Sequence, residues 1–191
     1  MYEAKNFESL LGTPGFGDDL LKNHFTLYGG YVTNTNKLSD ALAAMLKDGK
    51  AGTPEYNELK RRFGWEFDGM RLHELYFGNL TNDGSALDES SDLAKKISAE
   101  FGSVADWEKD FRAVGAMRGI GWTILYWDKE TDRLFNAWVN EHDTGHLAGC
   151  VPLLVMDVFE HAFITQYGLK RADYIEAFMK AVDWEAVAAR L

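Results

Sequence analysis

The chain has 191 residues, 46% hydrophobic and 26% charged, without low-complexity tracts, which is enough to bury a sizeable core and excludes a disordered chain. Its 30 acidic against 20 basic residues give a formal charge of -10, which disfavours nucleic acid and anionic membranes as partners. The single cysteine, Cys150, excludes an internal disulfide and any Cys-x-x-Cys zinc or redox site; it fits a reducing compartment and is expected as a small buried hydrophobe. No segment approaches the ~20 apolar residues of a membrane span, and MYEAKNFESL lacks a basic-then-apolar run, so a cytoplasmic location is expected.

After the turn-like TPGFGDD, a helical pattern begins near Asp18 and sets Leu20, Leu21, His24, Leu27, Tyr28 and Tyr31 on one face. It runs through TNTNKLSDALAAML to the break DGKAGTP. A second helix, from about Pro54 to Gly78, carries Phe63, Phe67, Met70, Leu72, Leu75 and Tyr76, and an antiparallel hairpin of the two is the simplest packing. The polar TNDGSALDESSD reads as a linker, dividing an N-terminal helical hairpin domain (1–84) from a C-terminal α/β domain (85–191). Two short helices follow, SSDLAKKISAEFG and SVADWEKDFRAVGAMR, the latter with Ser103 three residues before Asp106 in a capping-box-like arrangement. The aromatic and β-branched runs GWTILYWD and RLFNAWVN flank the charged turn KETD as a hairpin, and CVPLLVMD completes a three-stranded antiparallel sheet. Two helical patterns close the chain, VFEHAFITQYG and the amphipathic RADYIEAFMKAVDWEAVAARL. The fold class is α+β.

Within VMDVFEHAF, Asp157 and His161 lie four residues apart; with the aspartate at a strand end and the histidine in the turn or helix that follows, both converge on one point that a single metal ion could occupy. Nitrogen with carboxylate donors suits Fe, Mn or Zn over Ca or Mg. The remaining donors must come from His24, His73 in LHELYF, or His142 and His146 in NEHDTGHL. His24, His73 and His161 all lie in apolar, aromatic surroundings, where each imidazole would need a buried partner, and one shared ion satisfies all three.

DVFEHAF is similar to the D-x-W-E-H-A-Y signature of the iron/manganese superoxide dismutases, and GYVTNTNKL, HELYF, GIGWTILYW and DWEAV extend the resemblance over nearly the whole chain. The resemblance implies the same architecture and a redox-active ion, one Fe or Mn per chain, that converts superoxide to dioxygen and hydrogen peroxide. It implies His24, His73, Asp157 and His161 as metal ligands with a solvent molecule as the fifth, and Tyr31 as the active-site tyrosine. By the same resemblance Arg171 lies near the substrate funnel, and Tyr76, Phe77, Trp122 and Phe159 wall the site, Phe159 replacing the usual tryptophan. Glu160 would orient the ligand histidine of a second subunit, which implies a homodimer.

The chain departs from that pattern in several places. Aligned on Tyr31, the first ligand would fall at Asn23, so His24 requires a one-residue deletion in the first helix; the seven residues from His24 to Tyr31, close to two turns, favour His24. The polar bridge that often crosses the dimer interface falls at Leu27 and Ile164, where an apolar contact replaces it. The glutamine that holds the metal-bound solvent is absent: its helical position is Gly69, and its loop position is His142 or Glu141. His142 is therefore expected as the outer partner, a combination that leans towards iron or tolerance of both metals, with His146 a residue of loop structure. A catalytically silent homologue of the same fold stays as the alternative; a hydrolase would need an extra carboxylate cluster that the sequence lacks.

Overall fold

The computed structural model describes all 191 residues. Helix α1 (Asp18–Lys47) and helix α2 (Pro54–Phe77) form the N-terminal hairpin, and the start of α2 is fixed by Thr53, whose side chain accepts from the Tyr56 amide ahead of a proline in the first turn. Helices α3 (Asp92–Phe101) and α4 (Val104–Gly115) begin at Ser91 and Ser103, each accepting from the amide three residues on, and Ser103 Oγ also donates to Asp106 at 2.7 Å.

Strands β1 (Gly121–Asp128), β2 (Arg133–Asn140) and β3 (Val151–Asp157) make one antiparallel sheet in the order β2-β1-β3. In its register Trp122 stands opposite Asp157, so both side chains leave the same face of the sheet. That face packs on the hairpin, and residues of both halves share a single buried core containing Tyr28, Met70, Phe77, Trp107, Trp122, Leu154 and Phe178.

The chain after β3 differs from its helical reading. Asp157 Oδ1 accepts from the Phe159 amide at 2.8 Å and bends the chain out of β3, so VFEHAFITQYG becomes a 3-10 turn (Glu160–Ala162) and one short helix, α5 (Ile164–Tyr167), ended by Gly168 at φ 56°. The final amphipathic run is also two helices, α6 (Arg171–Lys180) and α7 (Trp184–Ala188). Between them Val182 bridges to Leu80, the Asp183 amide donates to Asn79, and the Asp183 carboxylate caps α7. Cys150 is a free thiol, half-buried rather than enclosed, because it lies in the turn ahead of β3.

Candidate metal centre

The long helices supply one histidine each. His24 and Tyr31 lie seven residues apart on the inner face of an uninterrupted α1 and are both buried, whereas Asn23 points to solvent. On α2, His73 is fully buried, and its Nδ1 lies 2.5 Å from the Gly69 carbonyl. A carbonyl only accepts, so Nδ1 carries the proton, and in the neutral ring Nε2 is a bare lone pair directed inward. The end of β3 and its turn supply Asp157 and His161.

These four residues meet. One donor atom from each of His24, His73, Asp157 and His161 lies within 4.8 Å of all the others. Three imidazole nitrogens surround a single carboxylate oxygen, Asp157 Oδ2, at 3.2 Å (His24), 3.6 Å (His73) and 3.0 Å (His161). Burial lowers the pKa of His24 and of His73, which keeps both rings neutral with their lone pairs available. Burial alone would raise the Asp157 carboxyl; the imidazoles of His161 and His24 more than offset this and hold it below the ordinary carboxylate range. Nε2 of His24 and Nε2 of His73 are enclosed yet have no hydrogen-bond partner. Such orphaned atoms are costly in a core, and a cation at their centre would give each lone pair a partner while offsetting the buried negative charge. A three-nitrogen, one-carboxylate set fits iron or manganese.

The carboxylate is itself anchored. Asp157 Oδ1 takes the Phe159 amide, and its backbone carbonyl accepts from Tyr174 Oη at 2.6 Å; Tyr174 is wholly buried and 3.2 Å from Tyr76 Oη. Aromatic rings enclose the donors: Tyr76 and Phe77 lie 5.2 and 4.9 Å from His24, and Trp122 5.1 Å from His73. Phe159 stacks on His161 at 5.2 Å and on His142 at 4.7 Å. His161 is the one donor left partly open, with 27% of its side chain exposed, and Glu160 beside it faces solvent.

His142 belongs to this region and not to the protein surface. It is fully buried, its Nδ1 accepts from the Trp122 indole at 3.1 Å, and its Nε2 lies 2.8 Å from Tyr31 Oη. An indole only donates, so Nδ1 is bare, and since burial brings the ring down to about pKa 4 the neutral imidazole carries its proton on Nε2 and donates to Tyr31. Burial and the charges of Asp157 and Glu66 push the Tyr31 hydroxyl above the ordinary phenol value. Glu141 turns the other way, its Oε2 accepting from the Trp65 indole at 3.3 Å. A Cβ placed on Gly69 would come within 2.6 Å of the Tyr31 ring, so no side chain fits at that helical position.

His146 organises the loop, with Nε2 2.8 Å from the His142 carbonyl and Nδ1 2.7 Å from Tyr126 Oη. The Arg171 guanidinium does not reach the donors: it donates to the carbonyls of Met117, Gly119 and Val158 and packs over Phe163. Sequence reasoning missed Trp65, which repeats the four-residue spacing of Gly69 and His73 on one face of α2 and so carried a readable signal. It also missed Tyr174, for which no local pattern existed.

The family model for the C-terminal domain of iron/manganese superoxide dismutases matches residues 89–190. The chain is 36% identical to an iron superoxide dismutase of Cupriavidus metallidurans, over 92% of this chain and 88% of that one. It is 35% identical to the iron enzyme of Aquifex pyrophilus (92% and 84%) and 34% identical to a manganese superoxide dismutase of Haloferax volcanii (88% and 82%). With matches of that extent, and with a buried three-histidine, one-aspartate cluster, the chain belongs to the iron/manganese superoxide dismutase family.

Proposed function

We propose that this protein dismutates superoxide at one iron or manganese ion held by His24, His73, Asp157 and His161. The observation that carries the reading is the convergence of three imidazole nitrogens on Asp157 Oδ2, two of them with no partner in the protein. When bound, the ion supplies one-electron chemistry, so that two superoxides and two protons give one dioxygen and one hydrogen peroxide.

The protein's part is to hold donors and protons. Neutral His24 and His73 with ionised Asp157 present a donor set of low net charge. Tyr31, receiving the Nε2–H of His142, keeps its own hydroxyl proton free to be given inward, and the Trp122–His142–Tyr31 chain fixes that direction. Tyr76, Phe77, Trp122 and Phe159 help to exclude bulk water from His24, His73 and Asp157. Arg171 contributes positive charge beside the Phe163 edge, a local attraction for an anion on a chain of net charge -10.

Gly69 with His142 favours iron slightly over manganese. A homodimer is the expected assembly: Met117, Ile164 and Leu169 expose apolar surface around a cleft with Glu160, next to the open side of His161, and a second copy there would cover that ligand. No helix is long and apolar enough to cross a membrane, and a free Cys150 suits the reducing cytoplasm.

The test is metal content by mass spectrometry with superoxide consumption, before and after His24→Ala. About one iron or manganese per chain, lost together with activity in the variant, is the expected result. Metal bound without consumption would turn the reading to a silent homologue.

A further inference from the structure

Beyond the donor cluster, one side chain touches both His142 and Tyr31 of the proton path without being part of it. Trp65, half-buried on α2, has its ring 4.5 Å from His142 and 5.5 Å from Tyr31. Its indole N–H donates to Glu141 Oε2 at 3.3 Å. Its outer face is covered by the Arg62 guanidinium at 3.7 Å, and Arg62 is in turn held by buried Glu66 through bonds of 2.9 and 2.7 Å. The anchor point is informative: Glu141 has a left-handed backbone, φ 55°, unusual for a residue with a long side chain, and that turn directs the next residue, His142, inward.

The indole is what holds the Glu141 side chain to α2, and it is the hydrogen bond between the helix that carries His73 and the turn that presents His142; the other polar link to this loop, His146 with Asp68 at 3.7 Å, lies four residues further on. On the dismutase reading given above, we propose that Trp65 is a positioning residue: it locks Glu141 in its left-handed turn and packs against both rings, so that His142 and Tyr31 stand in fixed register with the donor cluster. A core aromatic that merely fills space would need neither the indole N–H nor Glu141, and the two roles separate by experiment.

Four variants in the metal-loaded protein decide it: Trp65→Phe, which keeps a ring but loses the donor; Glu141→Ala, which loses the acceptor; the double variant; and Glu141→Gln, which keeps an acceptor oxygen. Trp65→Phe and Glu141→Ala are each expected to lower turnover at saturating superoxide by about tenfold with metal per chain unchanged. The double variant should be no worse than either single one, and Glu141→Gln should recover most of the loss. In zinc-loaded protein, whose ion takes the same donors without redox change, the Trp122 indole N–H resonance reports the bond to His142. It should shift in Trp65→Phe and Glu141→Ala and stay in place in Glu141→Gln. Unchanged turnover in both single variants, losses that multiply in the double variant, or a resonance that ignores both substitutions would overturn the proposal. If wild-type protein binds metal and consumes no superoxide, the dismutase reading fails, and the resonance still decides whether Trp65 positions His142. Should Trp65→Phe fail to fold, the two Glu141 variants, on a loop, carry the same test.

Discussion

The donor cluster and the ring of groups around Tyr31 lie side by side, yet their polar atoms are satisfied in opposite ways. His142 has a partner on each nitrogen, and Tyr31 Oη, Trp122 and Trp65 all have theirs within the protein. In the cluster, Nε2 of His24 and Nε2 of His73 have none, and three rings crowd one carboxylate oxygen. One region is complete as folded; the other, on the proposed reading, would be completed by a cation. Loss of a donor should therefore abolish binding outright, whereas loss of an outer group should leave the ion in place and damage what it does.

Asp157→Asn is the strongest break. It removes the only formal negative charge of the cluster and leaves three imidazoles around a neutral amide. Metal is expected to fall below detection by mass spectrometry and superoxide consumption to vanish. The thermal midpoint should then match that of the stripped wild type, since an ion at about 1,000 times its Kd adds roughly 4 kcal/mol that this variant cannot gain. Retention of stoichiometric metal would contradict the assignment of the four donors.

His142→Ala cuts into the other region. Trp122 Nε1 and Tyr31 Oη both lose a buried partner, and turnover is expected to drop by about 10- to 100-fold while metal per chain stays at the wild-type value. Equal loss of metal and activity would place His142 among the ligands and erase the distinction between the two regions.

Acid separates them further in the metal-free protein. Burial lowers the pKa of His24 and His73 and takes His142 from the ordinary 6.5 to about 4. For a base whose folded pKa lies below its unfolded one, the unfolded chain binds more protons between the two values, so stability is full above the unfolded pKa and declines as pH falls beneath it. The midpoint of the metal-free protein should thus hold near neutrality and fall from about pH 6.5 down to about 4. A bound ion should delay the fall by competing with protons for His24 and His73. His142→Gln should flatten part of the slope; an identical slope would show that His142 is not kept neutral by the fold.

Much of this was readable beforehand because His24, His73 and Asp157 sit on regular elements. The apolar face of α1 carried His24 and Tyr31 together, and the run CVPLLVMD before D-x-x-x-H put Asp157 at a strand end. The hairpin, the linker and the three strands followed from periodicity and turn residues. Illegible parts depend on contacts distant in sequence. Phe159, Phe163 and Tyr167 repeat every four residues like a helix face, but Asp157 Oδ1 captures the Phe159 amide and forces a turn. Val182 reads as helix interior until Leu80 pairs with it. His142 is expected as the outer partner from the family resemblance alone, because NEHDTGHL has no periodicity that buries it; the packing of Trp65, Trp122 and Tyr31 around it is what shows that this loop folds inward.

The finest test of the boundary between the regions is Gly69, where they touch. Its carbonyl fixes the tautomer of His73 on the cluster side, and its missing side chain lets the Tyr31 ring close on the other. Gly69→Ala would bring a methyl within 2.6 Å of that ring, so Tyr31 must move or α2 must shift. Overpacking of this kind costs about 1–3 kcal/mol, against which the better helix propensity of alanine returns roughly 1. Because the carbonyl is unaffected, metal binding should survive and the midpoint should fall by a few degrees, while Tyr31 loses its register with His142 and turnover declines. A variant as stable and as active as wild type would mean that the Tyr31 ring has slack, and that the close approach of α1 to α2 is not what aims its hydroxyl at His142.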